Sequence, residues 1–226
     1  MGKMHIRITT LEGMLGTSPA NEEVYADFIG KNAPNAATLT EEIEALGTDA
    51  VKEKGRTVFP RLEDGTPFMY DYQIKGFFKD ACSMLARLSK KEDIVDDKGK
   101  KKSTKKASNE SGKLTAYKKI IDGLIFVKPR KIPIAFDGEM LDCQRPLRAQ
   151  TMQGERVSLA SSDEVPAGAV LTFDVECLDE SHEAAVREWL DYGSLRGLGQ
   201  WRNSGKGRFE WEELDDGGKV IGGNKA

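Results

Sequence analysis

Residues 3–10 alternate, with Met4, Ile6, Ile8 and Thr10 on one side and His5, Arg7 and Thr9 on the other. A period of two predicts a half-buried strand. Gly13, Gly16 and Pro19 then break the pattern. Val24, Tyr25, Phe28 and Ile29 fall at helical spacing, and a second helix is predicted over about 39–54. Val58 and Phe59, followed by Glu63, Asp64 and Gly65, predict a strand and a turn. The clearest helix comes next: Ile74, Phe77, Phe78, Ala81, Leu85 and Leu88 lie on one helical face, with Lys75, Lys79 and Arg87 off it. Asp71 stands where an N-cap would be.

The pattern then stops. Residues 89–113 carry Lys98, Lys100, Lys101, Lys102, Lys105 and Lys106 among Ser, Gly and Asn. So few apolar positions predict a mobile basic insertion, either a solvated loop or a finger for a polyanion. Strands are predicted at about 123–128 and 131–136, with Asp137-Gly138 suited to a hairpin turn. Residues 144–162 are polar, with Arg145, Arg148 and Arg156 interspersed, and receive no element. Val165-Pro166-Ala167-Gly168 leads into a strong strand. Leu171, Phe173, Val175 and Cys177 face inward there, and Thr172, Asp174 and Glu176 outward. A helix is predicted over about 181–192, capped by Ser181 and ended by Gly193, with Ala185, Val186, Trp189 and Leu190 buried. In the last strand Phe209 and Trp211 alternate with Arg208, Glu210 and Glu212. Residues 215–226 are expected to be a disordered tail.

This order predicts an α+β fold: a split β-α-β antiparallel sheet with helices on one face and the lysine-rich insertion projecting from it. The expected domain is single, 1–214. Its uncovered sheet face would be open to a strand of RNA.

Composition narrows the partners. The chain has 226 residues, 38% hydrophobic and 31% charged, with a net charge of −3. That charge argues against indiscriminate binding to polyanions, so a basic site must be a local patch. Cys82, Cys143 and Cys177 are odd in number and form no close pair, as expected of reduced, mostly buried thiols in a cytoplasmic protein. No Cys-x-x-Cys or His-x-x-x-His spacing occurs, so neither a metal nor another cofactor is expected. No run approaches a membrane span and no signal peptide opens the chain.

The candidate chemistry is concentrated in Gly197-Leu198-Gly199-Gln200-Trp201-Arg202-Asn203-Ser204-Gly205-Lys206-Gly207-Arg208-Phe209. Gly197, Gly199, Gly205 and Gly207 permit positive φ and close approach of backbone to a ligand. Arg202, Lys206 and Arg208 add cations. Bare amides and cations together suit phosphate. The plainer alternative is a structural turn between a helix and a strand. The segment is neither a dinucleotide fingerprint nor a Walker A loop, because glycine is missing at Arg202 and no Gly-Lys-Ser/Thr opens a helix.

Two separated features resemble the RAMP superfamily, the ferredoxin-like RNA-binding proteins of CRISPR systems. The 197–209 segment resembles that family's glycine-rich loop between the last helix and the last strand. Tyr72-Gln73-Ile74-Lys75-Gly76-Phe77-Phe78-Lys79 resembles the Ser-x-Lys-Gly helix start of effector-complex backbone subunits. Val165-Pro166-Ala167-Gly168 fits their approach to the final β-α-β segment. The resemblance covers roughly residues 60–90 and 145–214. It implies a ferredoxin-like fold and an antiviral-defence role as a ribonucleoprotein subunit, or as a stand-alone or phage-borne relative. It also implies single-stranded, crRNA-like RNA and other ribonucleoprotein subunits as partners. Arg202, Lys206 and Arg208 would then contact phosphates, with Lys75 assisting near a helix N-terminus, and the lysine insertion would play the part of a protruding finger.

Catalysis is not expected. His5 and His182 are the two histidines, and Asp27, with Glu22 and Glu23, follows the first strand. Each is a weak candidate for acid–base work in a metal-independent endoribonuclease. A third reading is a virus-encoded protein that inhibits a CRISPR or other host ribonucleoprotein through its acidic segments 41–44 and 210–216.

Overall fold

A computed structural model describes residues 2–20, 56–88, 90–95, 101–106, 109–151 and 154–225. Glu22, Glu23, Asp27, the helices expected over 20–55, the acidic run 41–44, Lys98 and Lys100 lie outside the described residues. The chain opens with β1 (Gly2–Thr10), then β2 (Met14–Leu15), β3 (Ser18–Pro19), β4 (Thr57–Val58) and β5 (Phe68–Tyr70). Helix α1 (Asp71–Leu85) follows, then β6 (Lys90–Val95), β7 (Lys101–Lys106), α2 (Glu110–Lys113) and α3 (Tyr117–Leu124). Next come β8 (Ile125–Lys128), β9 (Lys131–Ala135), β10 (Leu141–Thr151), β11 (Gly154–Val165) and β12 (Val170–Cys177). Helix α4 (Glu183–Arg196), β13 (Phe209–Leu214) and β14 (Val220–Gly223) complete the described chain.

The expected α+β class holds. The main sheet runs β14-β13-β1-β12-β9-β5, with β8 also paired to β12. Its centre is a β-α-β-β-α-β unit: β1, α1, the split strand β8/β9, β12, α4 and β13. The spatial order is fourth, first, third, second, the ferredoxin-like arrangement. β1 pairs with β12 on one side and β13 on the other. Met4, Ile6 and Ile8 are buried under the helices, each contributing about 1.5–3 kcal/mol of apolar burial. A second sheet, β10-β11-β4-β3 with β2 on β11, grows from the connections after β1 and before β12.

Several expectations are corrected. Helix α1 is capped by Tyr70, whose amide donates to Gln73 Oε1 at 2.7 Å; Asp71 already lies in the first turn. Leu88 is 65% exposed, because a 3₁₀ turn at Ala86–Leu88 rotates it off the buried stripe. The lysine-rich segment contains the antiparallel hairpin β6/β7, and helices α2 and α3 follow it. Asp137-Gly138 is a bend and joins no hairpin, since β9 and β10 belong to different sheets. The polar stretch 144–162 is a long hairpin, β10 on β11. Asp179, not Ser181, accepts the capping bond before α4, from the Ser181 amide at 2.9 Å. α4 also runs through Gly193 to Arg196. A side chain at Gly193 would put Cβ 2.0 Å from Phe209 Cζ, so this glycine serves helix–strand contact rather than termination. Residues 215–226, expected as a disordered tail, contain β14, paired to β13.

Among the described residues no helix is long and apolar enough to cross a membrane, and no cluster of His, Cys, Asp or Glu suits a metal ion. Burial pushes the Cys82 and Cys177 thiols up to about 11. The folded chain therefore keeps two protons that the unfolded chain, with thiols near ~8.5, has lost. Stability should fall as pH rises from about 8.5 to about 11. Urea midpoints should show a shallower alkaline decline in Cys82→Ala/Cys177→Ala than in wild type. An equal decline in both would refute the assignment.

Candidate nucleic-acid interface

Three segments meet at one end of the main sheet. The glycine-rich loop after α4 packs on β2, the first turns of α1 lie alongside, and β3 closes the third side. Two recesses result. The larger, about 410 Å³, has Met69, Phe77 and Leu198 among its lining, with Thr17, Tyr72, Gln73 and Arg202 at its walls. The smaller, about 330 Å³, is bounded by Arg196, Gln200, Trp201 and Asn203. Gly199 and Arg202 border both, so the recesses form one groove. Gln73 locks its geometry: Oε1 caps α1 and Nε2 donates to Thr17 Oγ1 at 2.5 Å. One amide side chain thus joins helix and loop.

The glycines serve a different purpose from the expected one. A Cβ on Gly207 would stand 1.9 Å from Leu198 O, and one on Gly199 2.6 Å from Leu15 O, both at positive φ. The loop is folded tightly on itself and on β2. The amides of Gly197, Leu198, Ser204, Gly205 and Gly207 donate to carbonyls within the protein. They are not the bare phosphate cradle that the composition suggested.

The cations are arranged in pairs. Asp80 Oδ2 accepts from Arg196 Nε at 2.8 Å and from Arg202 Nη1 at 2.9 Å. Burial works to raise the Asp80 pKa, but hydrogen bonds and charge from the two arginines outweigh it and hold the carboxyl below its usual range. Two guanidinium groups on one carboxylate leave a net positive charge beside the groove. Lys206 Nζ meets Glu164 Oε1 at 2.6 Å, and this hydrogen bond raises the lysine pKa. Arg208 is exposed and near Gly205, with no ion pair among the described residues.

Sequence reasoning missed two groups. Arg145, on β10, holds its guanidinium carbon 5.5 Å from the Trp201 ring centroid and donates through Nη2 to Gln200 Oε1 at 2.7 Å. Asp80, which gathers two arginines, sits off the buried stripe of α1, where a carboxylate reads as an ordinary surface charge. A bulky aromatic among the loop glycines was the one available signal for Trp201.

Other candidates lie elsewhere. Lys75 donates to Asp122 O at 3.1 Å and stands over Phe126, on the side of α1 facing α3 rather than the groove. Burial lowers its pKa. His5 is on the uncovered sheet face, with Nδ1 2.6 Å from Asp174 and Nε2 3.3 Å from Asp216. Both ring nitrogens are turned to carboxylates. His182 precedes α4, its Nδ1 3.3 Å from Ser181 Oγ. Neither histidine lines the groove.

The uncovered face, expected to receive RNA, is a lattice of ion pairs. Lys3 and His5 meet Asp174, Arg7 meets Glu212, and Lys128 meets Glu176. A phosphate there would have to displace carboxylates.

No family model matches the chain, and no curated protein matches it. Among solved structures it is similar to a chain in a cryo-EM structure of the Type III-B Cmr-beta bound to cognate target RNA, with 10% identity and a TM-score of 0.44. The match covers 94% of this chain and 61% of that one, so the chain spans about three fifths of its neighbour's length.

Proposed function

We propose that the chain is a RAMP-like RNA-binding module that holds a single-stranded RNA backbone along the groove, as a CRISPR-type ribonucleoprotein subunit or a relative of one. The observation that carries this reading is the groove itself. Arg196 and Arg202 line it, held by Asp80, with the exposed rings of Tyr72 and Trp201 in its walls, and Lys206 and Arg208 follow in the same loop. Cations along a groove with aromatic rings beside it are the usual means of holding a single strand. The ferredoxin-like order and the two resembling motifs agree with it, since those motifs are the segments that meet at the groove. Lys75 is withdrawn from the phosphate contacts because of its position.

The acidic segment 210–216 gives the inhibitor reading little support. Glu210 and Glu212 pair with Lys225, Glu212 with Arg7, and Glu213 with Arg187.

Fluorescence anisotropy with a labelled single-stranded RNA at two salt concentrations tests the proposal. Wild type should bind with an affinity that falls steeply with salt. Replacing Arg202, Lys206 and Arg208 by Ala should flatten the log–log salt slope by about 2, at ~0.7 per lost phosphate contact. Arg208→Glu, which breaks no described pair, serves as the fold-preserving second variant and should weaken binding on its own. Absence of binding at low salt would sink the proposal and direct the search to a protein partner.

A further inference from the structure

Trp201 is unusual in two respects. It is 42% exposed, whereas Trp189 and Trp211 are buried. Its backbone is left-handed, φ 53° and ψ 34°, a conformation disfavoured for a residue with a side chain. The turn after it holds that conformation, with Ser204 N and Ser204 Oγ both donating to Trp201 O, at 3.0 and 2.8 Å. A left-handed residue that only closed a turn would be better filled by Gly or Asn. A large ring kept there in solvent calls for another explanation.

Arg145 supplies the second observation. The residue is only 9% exposed, and its guanidinium is fixed through Nη2 on Gln200 Oε1 at 2.7 Å. The guanidinium lies over the indole, and the 330 Å³ recess begins at the same ring. A cation held against the ring makes indole a firmer stacking surface and restrains its rotation.

We propose that Trp201, braced by the Arg145 guanidinium, is a stacking platform for one unpaired nucleobase. The inference rests on the RNA-binding reading and adds to it: the groove takes hold of a base as well as the backbone. A free phosphate would leave the ring unused.

The test compares a single-stranded oligouridine with an abasic ribose–phosphate oligomer of equal length and charge, binding to the whole chain. Intrinsic tryptophan emission is recorded in the same titrations. The variants are Trp201→Gly, which suits the left-handed backbone and so keeps the fold, and Trp201→Tyr. Oligouridine should bind about tenfold more tightly than the abasic oligomer and quench the emission, most of which should respond through Trp201, because the other two indoles are buried. In Trp201→Gly the two oligomers should bind alike and the quenching should vanish; in Trp201→Tyr the preference should return. Equal binding of both oligomers to wild type, with Trp201→Gly unchanged, would overturn the platform while leaving backbone binding intact. Failure of both oligomers to bind at low salt would overturn the RNA-binding reading and the platform with it.

Discussion

Gly207→Val should destabilise the protein by about 3 kcal/mol or more and abolish groove binding. Two terms combine. A branched residue at φ +71° incurs backbone strain of about 1–3 kcal/mol. Its Cβ would also stand 1.9 Å from Leu198 O, a backbone atom that cannot swing aside. Relief requires Leu198 to move, yet Leu198 donates to Gly207 O at 2.8 Å and is itself core. Gly207 also donates to Gly13 O at 2.9 Å, so the disturbance reaches the segment before β2. Gly205→Ala is the internal control. It shares the left-handed backbone, but its nearest neighbour is the flexible Arg208 guanidinium at 3.5 Å, so only the strain of about 1–2 kcal/mol is expected. Urea denaturation of both variants checks the difference. Equal losses would show that close approach within the loop is unimportant.

Trp189→Ala should cost about 3–5 kcal/mol. Trp189 is fully buried, its ring 5.4 Å from Phe78, and its Nε1 donates to Ser111 Oγ at 2.9 Å. Ser111 in turn donates from both N and Oγ to Glu188 Oε2, at 2.8 and 2.6 Å. Nearby, Asn109 Nδ2 donates to Leu85 O at 2.7 Å. These bonds fasten the chain leaving the β6/β7 hairpin to α1 and α4. Removing the indole therefore empties core volume and loosens the hairpin's base together. Hydrogen exchange should show amides of residues 109–113 opening well below the global unfolding energy. Trp189→Phe, which retains most of the packing, should lose about 1 kcal/mol, the worth of the hydrogen bond. A hairpin base as protected in Trp189→Ala as in wild type would refute the anchoring role.

Both effects depend on contacts between distant segments, which marks the limit of what was legible. β1, α1, β12, α4 and β13 could be read because each buries one face, so its period is written into its own residues. With the strands read at about 123–128 and 131–136, found as β8 and β9, they make up the ferredoxin-like unit. The β10/β11 hairpin was invisible because a polar strand pair held by ladder bonds needs no apolar alternation. Helices α2 and α3 escaped because lysines mask their few core residues. The site was half legible. Four glycines and three cations marked the loop, but their roles could not be assigned from spacing.

The sequence by itself determined the α+β class, the inward faces of the long strands and the location of the basic glycine loop, since all three follow from local periodicity and local composition. Tertiary structure alone decided which cations are held by Asp80 and Glu164, that the loop glycines serve close packing, and that Arg145 and Trp201 come together. Those outcomes are set by distances between residues far apart in the chain, and pairing energies and steric limits act on distance in space rather than on separation in sequence.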